Sequence, residues 1–269
     1  MTAIKHRVLV TGYGPFRQYT ENPSWLAVSK LHNSIIYTPT PASHAAHPHA
    51  PHPKPEPIHI TALEIPVVYD AVLATVPGLH AAPPHLPAGL PDGFPAPPAE
   101  GYSLIVHVGV GHSQPLRLEL IGDKTGYDKP DYEGKYADAL DEVGQVRGFA
   151  GERYAALPER LIQSAVDAKR LLAGCANDGV EVITSCDAGH YLCDFILYCS
   201  LAESMLEGRE TPVLFIHCSP VDDPMSTPES LVRVLPGSSS VGSSCSSVTG
   251  TGVTVDIRDY RCLMEFSEA

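Results

Sequence analysis

Several features that would assign a protein to a class are missing from this chain of 269 residues. No run approaches the ~18 apolar residues that a membrane-spanning helix needs. No Cys-x-x-Cys pair is present, so we expect no structural zinc site. The spacing of the seven cysteines indicates no disulfide framework. Basic residues are in deficit, and the net charge of −13 argues against a nucleic-acid or anionic-membrane partner.

The first residues of the chain also lack the apolar core of a signal peptide and lead directly into a strand pattern. We therefore expect a soluble protein of the cytosol, a reducing compartment that keeps thiols free. Hydrophobic residues make up 43% of the chain, which is enough for a large core. The oligomeric state is not determined by the sequence.

Short buried strands alternate with helical patterns along the chain, which predicts an α/β fold. The expected architecture is a single-domain, three-layer α/β/α sandwich with a mostly parallel, mixed sheet. Strands are predicted over 7–11, 58–67, 103–110, 116–121 (at an edge of the sheet or over the site), 180–186 and 213–217. Helices are predicted over 23–31 with Asn22 as cap, over 69–76, 158–173 and 228–235, and from near Gly189.

Three segments interrupt this alternation and define the predicted domain organisation. Residues 1–236 form the main domain, with a Pro/His-rich insert at 38–57 and a Pro/Gly-rich insert at 81–100. Neither insert is compatible with a helix or a central strand. Residues 237–269 form a Ser/Gly-rich tail whose composition does not favour a packed helix.

The stretch 187–198, which begins Asp187-Ala-Gly-His-Tyr-Leu-Cys193, carries the clearest chemical signal. Cys193 falls near the start of a predicted helix, where free N–H groups and the helix dipole favour a thiolate. The next predicted strand ends in His217 at the same edge of the sheet, which suits a cysteine nucleophile and its base. On position alone, a buried packing cysteine is the commoner outcome.

Three blocks in a fixed order resemble the pyroglutamyl peptidase I family, the cysteine peptidases that remove N-terminal pyroglutamate. The first block is 8–16, Val-Leu-Val-Thr-Gly-Tyr-Gly-Pro-Phe, followed by 21–28. The second runs from His107 through Glu119 to Tyr127. The third joins 187–195 to 215–217. Ordered agreement over roughly 7–220 is more specific than any single short motif.

The resemblance implies a role for each matching residue. Cys193 is the expected nucleophile, His217 the base, and Glu119 the carboxylate that orients the histidine. The implied substrates are peptides with an N-terminal pyroglutamate, and neither a metal nor a cofactor is implied. The implied ring-binding turn comprises Gly12, Tyr13, Gly14 and Phe16.

The residues leave several alternatives open. His190 competes with His217, while Asp187 and Asp194 compete with Glu119, which next to Arg117 and Lys124 also fits a surface ion pair. Lys124 and Lys129 are unsupported oxyanion donors beside the backbone N–H groups near Cys193. The remaining cysteines of the main domain are expected to serve packing: Cys175, Cys186, Cys199 and Cys218.

Other functions compete with the peptidase hypothesis. Tyr13 stands where the family normally carries phenylalanine, which leaves open a cysteine hydrolase or amidase for another small acyl group. A non-enzymatic binding protein is the second alternative. The Gly12-x-Gly14 pattern is too short for a dinucleotide fingerprint. The histidine run at 44–52 offers imidazoles for a metal, but its prolines provide no rigid geometry.

Overall fold

The computed structural model describes residues 4–38, 54–112, 115–137, 147–149, 151–163, 165–177, 179–209 and 211–220. Most of the 38–57 insert with its histidine run, the predicted helix at 228–235 and the 237–269 tail lie outside these residues. The strands are β1 His6–Tyr13, β2 Ser34–Tyr37, β3 Pro57–Ile65, β4 Leu104–Val110, β5 Leu116–Glu119, β6 Ile121–Asp123, β7 Arg160–Ile162, β8 Val182–Ser185 and β9 Val213–Cys218. The helices are α1 Pro23–Ser29, α2 Tyr69–His80, α3 Ala168–Asn177 and α4 Leu192–Leu206, with a short 3₁₀ helix Glu152–Tyr154.

Seven of these strands form one sheet in the order β2-β3-β1-β4-β9-β5-β8. Strands β3, β1, β4 and β9 run parallel to one another. Strands β2 and β5 are antiparallel to their neighbours β3 and β9, and β8 is parallel to β5. The mostly parallel, mixed sheet of the sequence prediction is therefore confirmed.

Helices cover both faces of this sheet. Because side chains alternate along a strand, Val8 and Val10 of β1 belong to one apolar cluster together with residues of α1 and α3. Leu9 and Tyr13 belong to the other cluster, together with residues of α2 and α4. The three-layer α/β/α arrangement is confirmed, and α4 lies on the same face as Tyr13.

The helix predicted over 158–173 is wrong in its first half. Residues Arg160–Ile162 form β7, which pairs antiparallel with β6. The pairing continues on both sides, because the Gln163 N–H donates to the Leu120 carbonyl at 2.8 Å and the Lys124 N–H to the Glu159 carbonyl at 2.8 Å. Backbone groups that the apolar spacing assigned to a helix are therefore hydrogen-bonded to a partner strand instead.

The helix in this region, α3, begins only at Ala168. Asp167 provides its cap: the side chain accepts from the Arg170 N–H at 3.0 Å, and its carbonyl accepts from the Leu171 N–H at 2.9 Å. Aspartate is among the preferred residues at this position, so the capping signal was more informative than the apolar period.

The strand predicted over 116–121 divides into β5 and β6, and β5 is not at the edge of the sheet. It lies between β9 and β8. Because β8 is parallel to β5 and β5 is antiparallel to β9, β8 runs opposite to β9. The segment 186–191 consequently turns the chain back before α4 begins.

Two further predictions about local structure have clear outcomes. Asn22 caps α1 through a bond from the Ser24 N–H at 3.1 Å, as predicted. Residues 81–100 contain neither helix nor strand, also as predicted, and Phe94 packs its ring 4.8 Å from that of His32. Helix α2 extends past the predicted end and includes Pro77 in its last turn.

Three of the predicted packing cysteines, Cys175, Cys199 and Cys218, are buried. Cys186 takes part in a disulfide, which the cysteine spacing did not predict. Across the described part of the chain, no helix combines the length and apolarity needed to cross a membrane.

Candidate active site

Cys193 is the second residue of α4, so its thiol lies in the first helical turn. Tyr191 is the N-cap and has an extended backbone. The first N–H groups of a helix have no intrahelical acceptor and favour an anion beside them. The Cys193 side chain is partly buried against the aromatic cluster on this face of the sheet. The predicted position near a helix N-terminus is therefore observed.

A glycine in β4 makes room for this thiol. A Cβ atom at Gly109 would lie 2.9 Å from Cys193 Sγ and 2.8 Å from Phe215 Cζ, both closer than normal contact distances. Gly111 plays the same part for the histidine, since a Cβ there would lie 2.9 Å from His217 Cβ. Two glycines at the end of β4 thus allow helix, strand and imidazole to converge.

His217 and Glu119 meet through the antiparallel pairing of β9 with β5. Glu119 pairs with Phe215, and Arg117 pairs with His217. Residues two apart share a face of the sheet, so Glu119 and His217 are diagonal neighbours on the α4 side. Their side chains form a hydrogen bond of 2.7 Å between His217 Nδ1 and Glu119 Oε1, and both are buried.

The other side of the imidazole interacts with the thiol. Cys193 is the other group that interacts with His217, and burial alone would lower the pKa of the histidine. The interactions with Cys193, together with the Glu119 carboxylate, outweigh burial and raise the pKa of His217 to about 10. These interactions favour the protonated, imidazolium form of His217.

The competing acids lie elsewhere. Asp187 Oδ1 accepts from the Gly189 N–H at 2.9 Å and stabilises the turn before α4. Asp194 accepts from the Asp123 N–H at 2.9 Å. Of the carboxylates in the described ranges, Glu119 alone is hydrogen-bonded to His217.

The competing histidine, His190, is directed at Asp194, with Nδ1 3.2 Å from Asp194 Oδ2. Burial, followed by nearby acids, raises the pKa of Asp194 to about 8. Asp123, His190 and Asp194 place possible metal-ligating atoms within 4.8 Å of one another. Asp123 Oδ1 already pairs with Arg160 at 2.7 Å, so its negative charge is met without a metal.

Tyr13 ends β1, and its ring is buried in the aromatic cluster beneath α4. Its hydroxyl donates to the carbonyl of Leu192, the residue before Cys193. Burial first, and then the nearby Cys193, raise the pKa of Tyr13 well above the usual value, so the hydroxyl remains a donor. The extra polar atom that distinguishes tyrosine from phenylalanine therefore has a protein partner.

The remaining residues of the predicted ring-binding turn have different surroundings. Phe16 is half-buried, with its ring centroid 5.6 Å from that of Tyr191. Gly12 is required by packing, since a Cβ there would lie 2.8 Å from Trp25 Cα in α1. A Cβ at Gly14 would lie 3.1 Å from Glu64 Oε1. The Phe16 ring is thus partly exposed, whereas the Tyr13 ring is buried.

The two lysines considered as oxyanion donors, Lys124 and Lys129, have different surroundings. Lys124 is buried, and its Nζ donates to the carbonyls of Ala155 at 3.2 Å and Leu157 at 3.0 Å. Lys129 is exposed, and its carbonyl accepts from Tyr69. The backbone N–H groups of the first turn of α4 adjoin Cys193, which is the second residue of that helix.

Three contributors to the site were missed from the sequence: Tyr191, Gly109 and Gly111. Tyr191 packs against Phe16 and also against Tyr69, whose ring centroid is 6.1 Å away. An aromatic residue two positions before the cysteine was the available signal. Gly109 and Gly111 were noted only as part of a matching block, because their contacts depend on α4 and β9.

Comparison with known proteins gives a consistent result, although no family model matches the chain. The human protein named pyroglutamyl-peptidase 1 is 30% identical over 222 residues, which cover 81% of this chain and 80% of the human one. The mouse protein of the same name is also 30% identical over 222 residues, with the same coverage.

Solved structures share the fold. The pyroglutamyl peptidase I of Bacillus amyloliquefaciens superposes with a TM-score of 0.60 at 18% identity, covering 87% of this chain and 97% of that one. The pyrrolidone carboxyl peptidase of Fervidobacterium islandicum gives a TM-score of 0.55 at 21% identity, covering 80% and 81% of the two chains.

Proposed function

Because this chain belongs to the pyroglutamyl-peptidase 1 family, we propose that it hydrolyses the bond after an N-terminal pyroglutamyl residue through Cys193, His217 and Glu119. The observation that carries this assignment is the buried hydrogen bond of 2.7 Å between His217 Nδ1 and Glu119 Oε1, on a histidine whose pKa Cys193 also raises. It resembles the arrangement by which triads activate a nucleophile. The enzyme is a cysteine peptidase of the hydrolase class.

In the acylation half of the reaction, Cys193 Sγ attacks the carbonyl carbon that joins pyroglutamate to the next residue. The developing oxyanion is stabilised by N–H groups of the first turn of α4. His217 donates its proton to the leaving amine as the C–N bond breaks, which leaves a thioester on Cys193. Glu119 holds the ring and its proton at Nδ1 throughout.

In the deacylation half, the neutral His217 accepts a proton from water as the water oxygen attacks the thioester carbon. The C–S bond breaks, pyroglutamate leaves, and the thiolate–imidazolium pair is restored. This cycle consumes one water per peptide bond and requires neither a metal nor a cofactor.

The substrate preference follows from the chemistry of a flat, uncharged lactam, which suits apolar aromatic walls. Tyr13 and Phe16 are proposed as those walls. Since the Tyr13 hydroxyl donates to Leu192, the tyrosine presents the same apolar ring to a substrate as a phenylalanine. This observation favours pyroglutamate over a different acyl group. We further propose that the enzyme acts in the cytosol, where the Cys193 thiol stays reduced. The Cys186 disulfide is atypical of that compartment and plays no part in the mechanism.

The deciding experiment is release of a fluorescent amine from its pyroglutamyl amide under reducing conditions. We expect turnover by the wild-type protein and a loss of at least ~10³-fold in Cys193→Ser, which keeps the shape of the side chain but not the thiolate. Cys199→Ala is the matched control, because its buried thiol has a pKa raised to about 12 by burial and takes no part in the mechanism.

A prolyl amide serves as the substrate control, since it lacks the ring carbonyl. Turnover of a different acyl amide in a panel, with none of the pyroglutamyl compound, would assign the protein to the amidase alternative. A folded, monodisperse protein whose Cys193 resists alkylation and hydrolyses nothing would instead identify a non-enzymatic relative.

A further inference from the structure

Tyr13 links two parts of the molecule that are far apart in the sequence. Its backbone N–H donates to Ser24 Oγ at 2.9 Å, which fixes the end of β1 against α1. Its side-chain hydroxyl donates to the Leu192 carbonyl on the opposite face of the sheet. One residue thus connects the β1 turn to the first residue of the helix that carries Cys193.

The hydroxyl acts at the start of α4, where the first N–H groups have no intrahelical acceptor. The N-cap Tyr191 makes no side-chain capping bond, and the first turn of a helix is where fraying begins. Leu192 immediately precedes Cys193, so any rotation of the Leu192 peptide changes the direction of the thiol. An external donor to the Leu192 carbonyl restrains that rotation.

The surroundings keep this restraint intact over a wide pH range. The Tyr13 ring is buried among apolar and aromatic side chains, which leaves the hydroxyl no alternative partner in water. Burial also disfavours the phenolate, as does the neighbouring Cys193. The Tyr13 hydroxyl therefore stays protonated beside the thiol.

We propose that Tyr13 is a positioning residue for the nucleophile: its hydroxyl holds the first turn of α4 so that Cys193 faces His217. This inference rests on the proposed role of Cys193. It assigns to the hydroxyl a function separate from the contact that the Tyr13 ring makes with a substrate.

The test compares Tyr13→Phe with Tyr198→Phe. Tyr198 lies on the same helix and also donates its hydroxyl to a backbone carbonyl, that of Pro158 at 2.9 Å. The two variants lose the same atom and the same kind of bond. For Tyr13→Phe we expect kcat to fall roughly three- to tenfold with KM unchanged, as expected for one lost hydrogen bond. For Tyr198→Phe we expect kcat to be unchanged.

A second readout does not depend on substrate. The rate of Cys193 alkylation by iodoacetamide should fall by a similar factor in Tyr13→Phe and remain unchanged in Tyr198→Phe. If wild-type protein is alkylated normally but hydrolyses no pyroglutamyl amide, the proposed function fails while the positioning role is still measured.

Replacement of Tyr13 by p-aminophenylalanine retains a donor on the ring and should restore part of the lost reactivity. If Tyr13→Phe is insoluble, the p-aminophenylalanine variant provides the test instead. Because its amino group is a weaker donor than the hydroxyl, Cys193 should then be alkylated more slowly than in the wild type. Equal alkylation rates in wild type and variants, or a rise in KM with kcat unchanged, would overturn the proposal.

Discussion

At the scale of single residues, the role proposed for His217 depends on Glu119. A glutamate at 2.7 Å from Nδ1 leaves Nε2 free for the thiol side and stabilises the imidazolium. The hydrogen bond and the charge of Glu119 also help to raise the pKa of His217. The residue therefore contributes both orientation and charge, and a neutral replacement separates the two.

We expect Glu119→Gln to lower kcat by roughly 10²- to 10⁴-fold, because an amide neither stabilises imidazolium nor enforces the same tautomer. The measurement is steady-state hydrolysis of a pyroglutamyl amide, with folding checked by circular dichroism. Asp187→Asn is the matched control, since its side-chain oxygen can still accept from Gly189. Equal losses in the two variants would contradict the assignment of Glu119.

The pH dependence of catalysis follows from the same pair. We expect kcat/KM to be low at acid pH, where the thiolate–imidazolium pair of the proposed mechanism takes up a proton, and to fall again near pH 10 as the His217 imidazolium, whose pKa is about 10, loses its proton. Rates measured from pH 5 to 10.5 test this. In Glu119→Gln the alkaline limb should move to lower pH. A flat profile between pH 5 and 9 would contradict a Cys–His mechanism.

At the scale of secondary-structure elements, the site depends on how closely β4, β9 and α4 approach. Gly109 is the point of closest approach, because its missing side chain is the space that Cys193 and Phe215 occupy. A well-packed interior does not absorb an added methyl group without displacement.

We expect Gly109→Ala to lower stability by about 1–3 kcal/mol and activity by roughly 10²-fold, since a thiol displaced by ~1 Å loses its alignment. Thermal denaturation and pyroglutamyl amide hydrolysis measure the two effects. Gly151→Ala is the control, because nothing lies within 4 Å of a Cβ at that position. If Gly109→Ala retains wild-type activity, the packing account of the site is wrong.

The elements also mark where sequence patterns succeed and fail. The strands β1, β4 and β9 and the helix α1 were predicted because each carries a strong local signal, such as the Asn22 cap followed by Pro23. The helix predicted over 158–173 is wrong in its first half. Backbone hydrogen bonds to 120–124 stabilise a strand there more than the apolar spacing favours a helix. The interior position of β5 was missed because strand order is a tertiary property.

At the scale of the whole molecule, buried polar groups on the α2/α4 side of the sheet affect stability. His107 is fully buried beside Thr11, with Nδ1 2.8 Å from Oγ1. Burial lowers the pKa of His107 to about 3 and that of His80 to about 4. Both folded-state values lie below the unfolded value of 6.5, so the unfolded state binds more protons as the pH falls from about 6.5.

We therefore expect the free energy of unfolding contributed by these histidines to be fully present above pH 6.5 and to decrease as the pH falls through 6 and 5. In His107→Gln, the dependence of stability on pH should lose up to ~1.4 kcal/mol per pH unit of slope in this range. Denaturant unfolding at pH 5, 6 and 7 measures it.

Comparing the variant with the wild type separates the effect of His107 from that of groups whose contribution to stability changes with pH in the opposite direction, such as Asp194. The exposed His85→Gln is the control and should leave the slope unchanged. An unaltered slope in His107→Gln would show that His107 is not the source of the acid sensitivity.

The sequence by itself determined the fold class, the position of Cys193 at a helix start and the family to which the chain belongs. These depend on local periodicity, capping and ordered motifs, which act between neighbouring residues. Only the tertiary structure decided which carboxylate serves His217 and what the Tyr13 hydroxyl does. Glu119 and His217 are 98 positions apart, and Tyr13 and Leu192 are 179 apart. Contacts over such separations depend on strand order and register, which many distant residues set together.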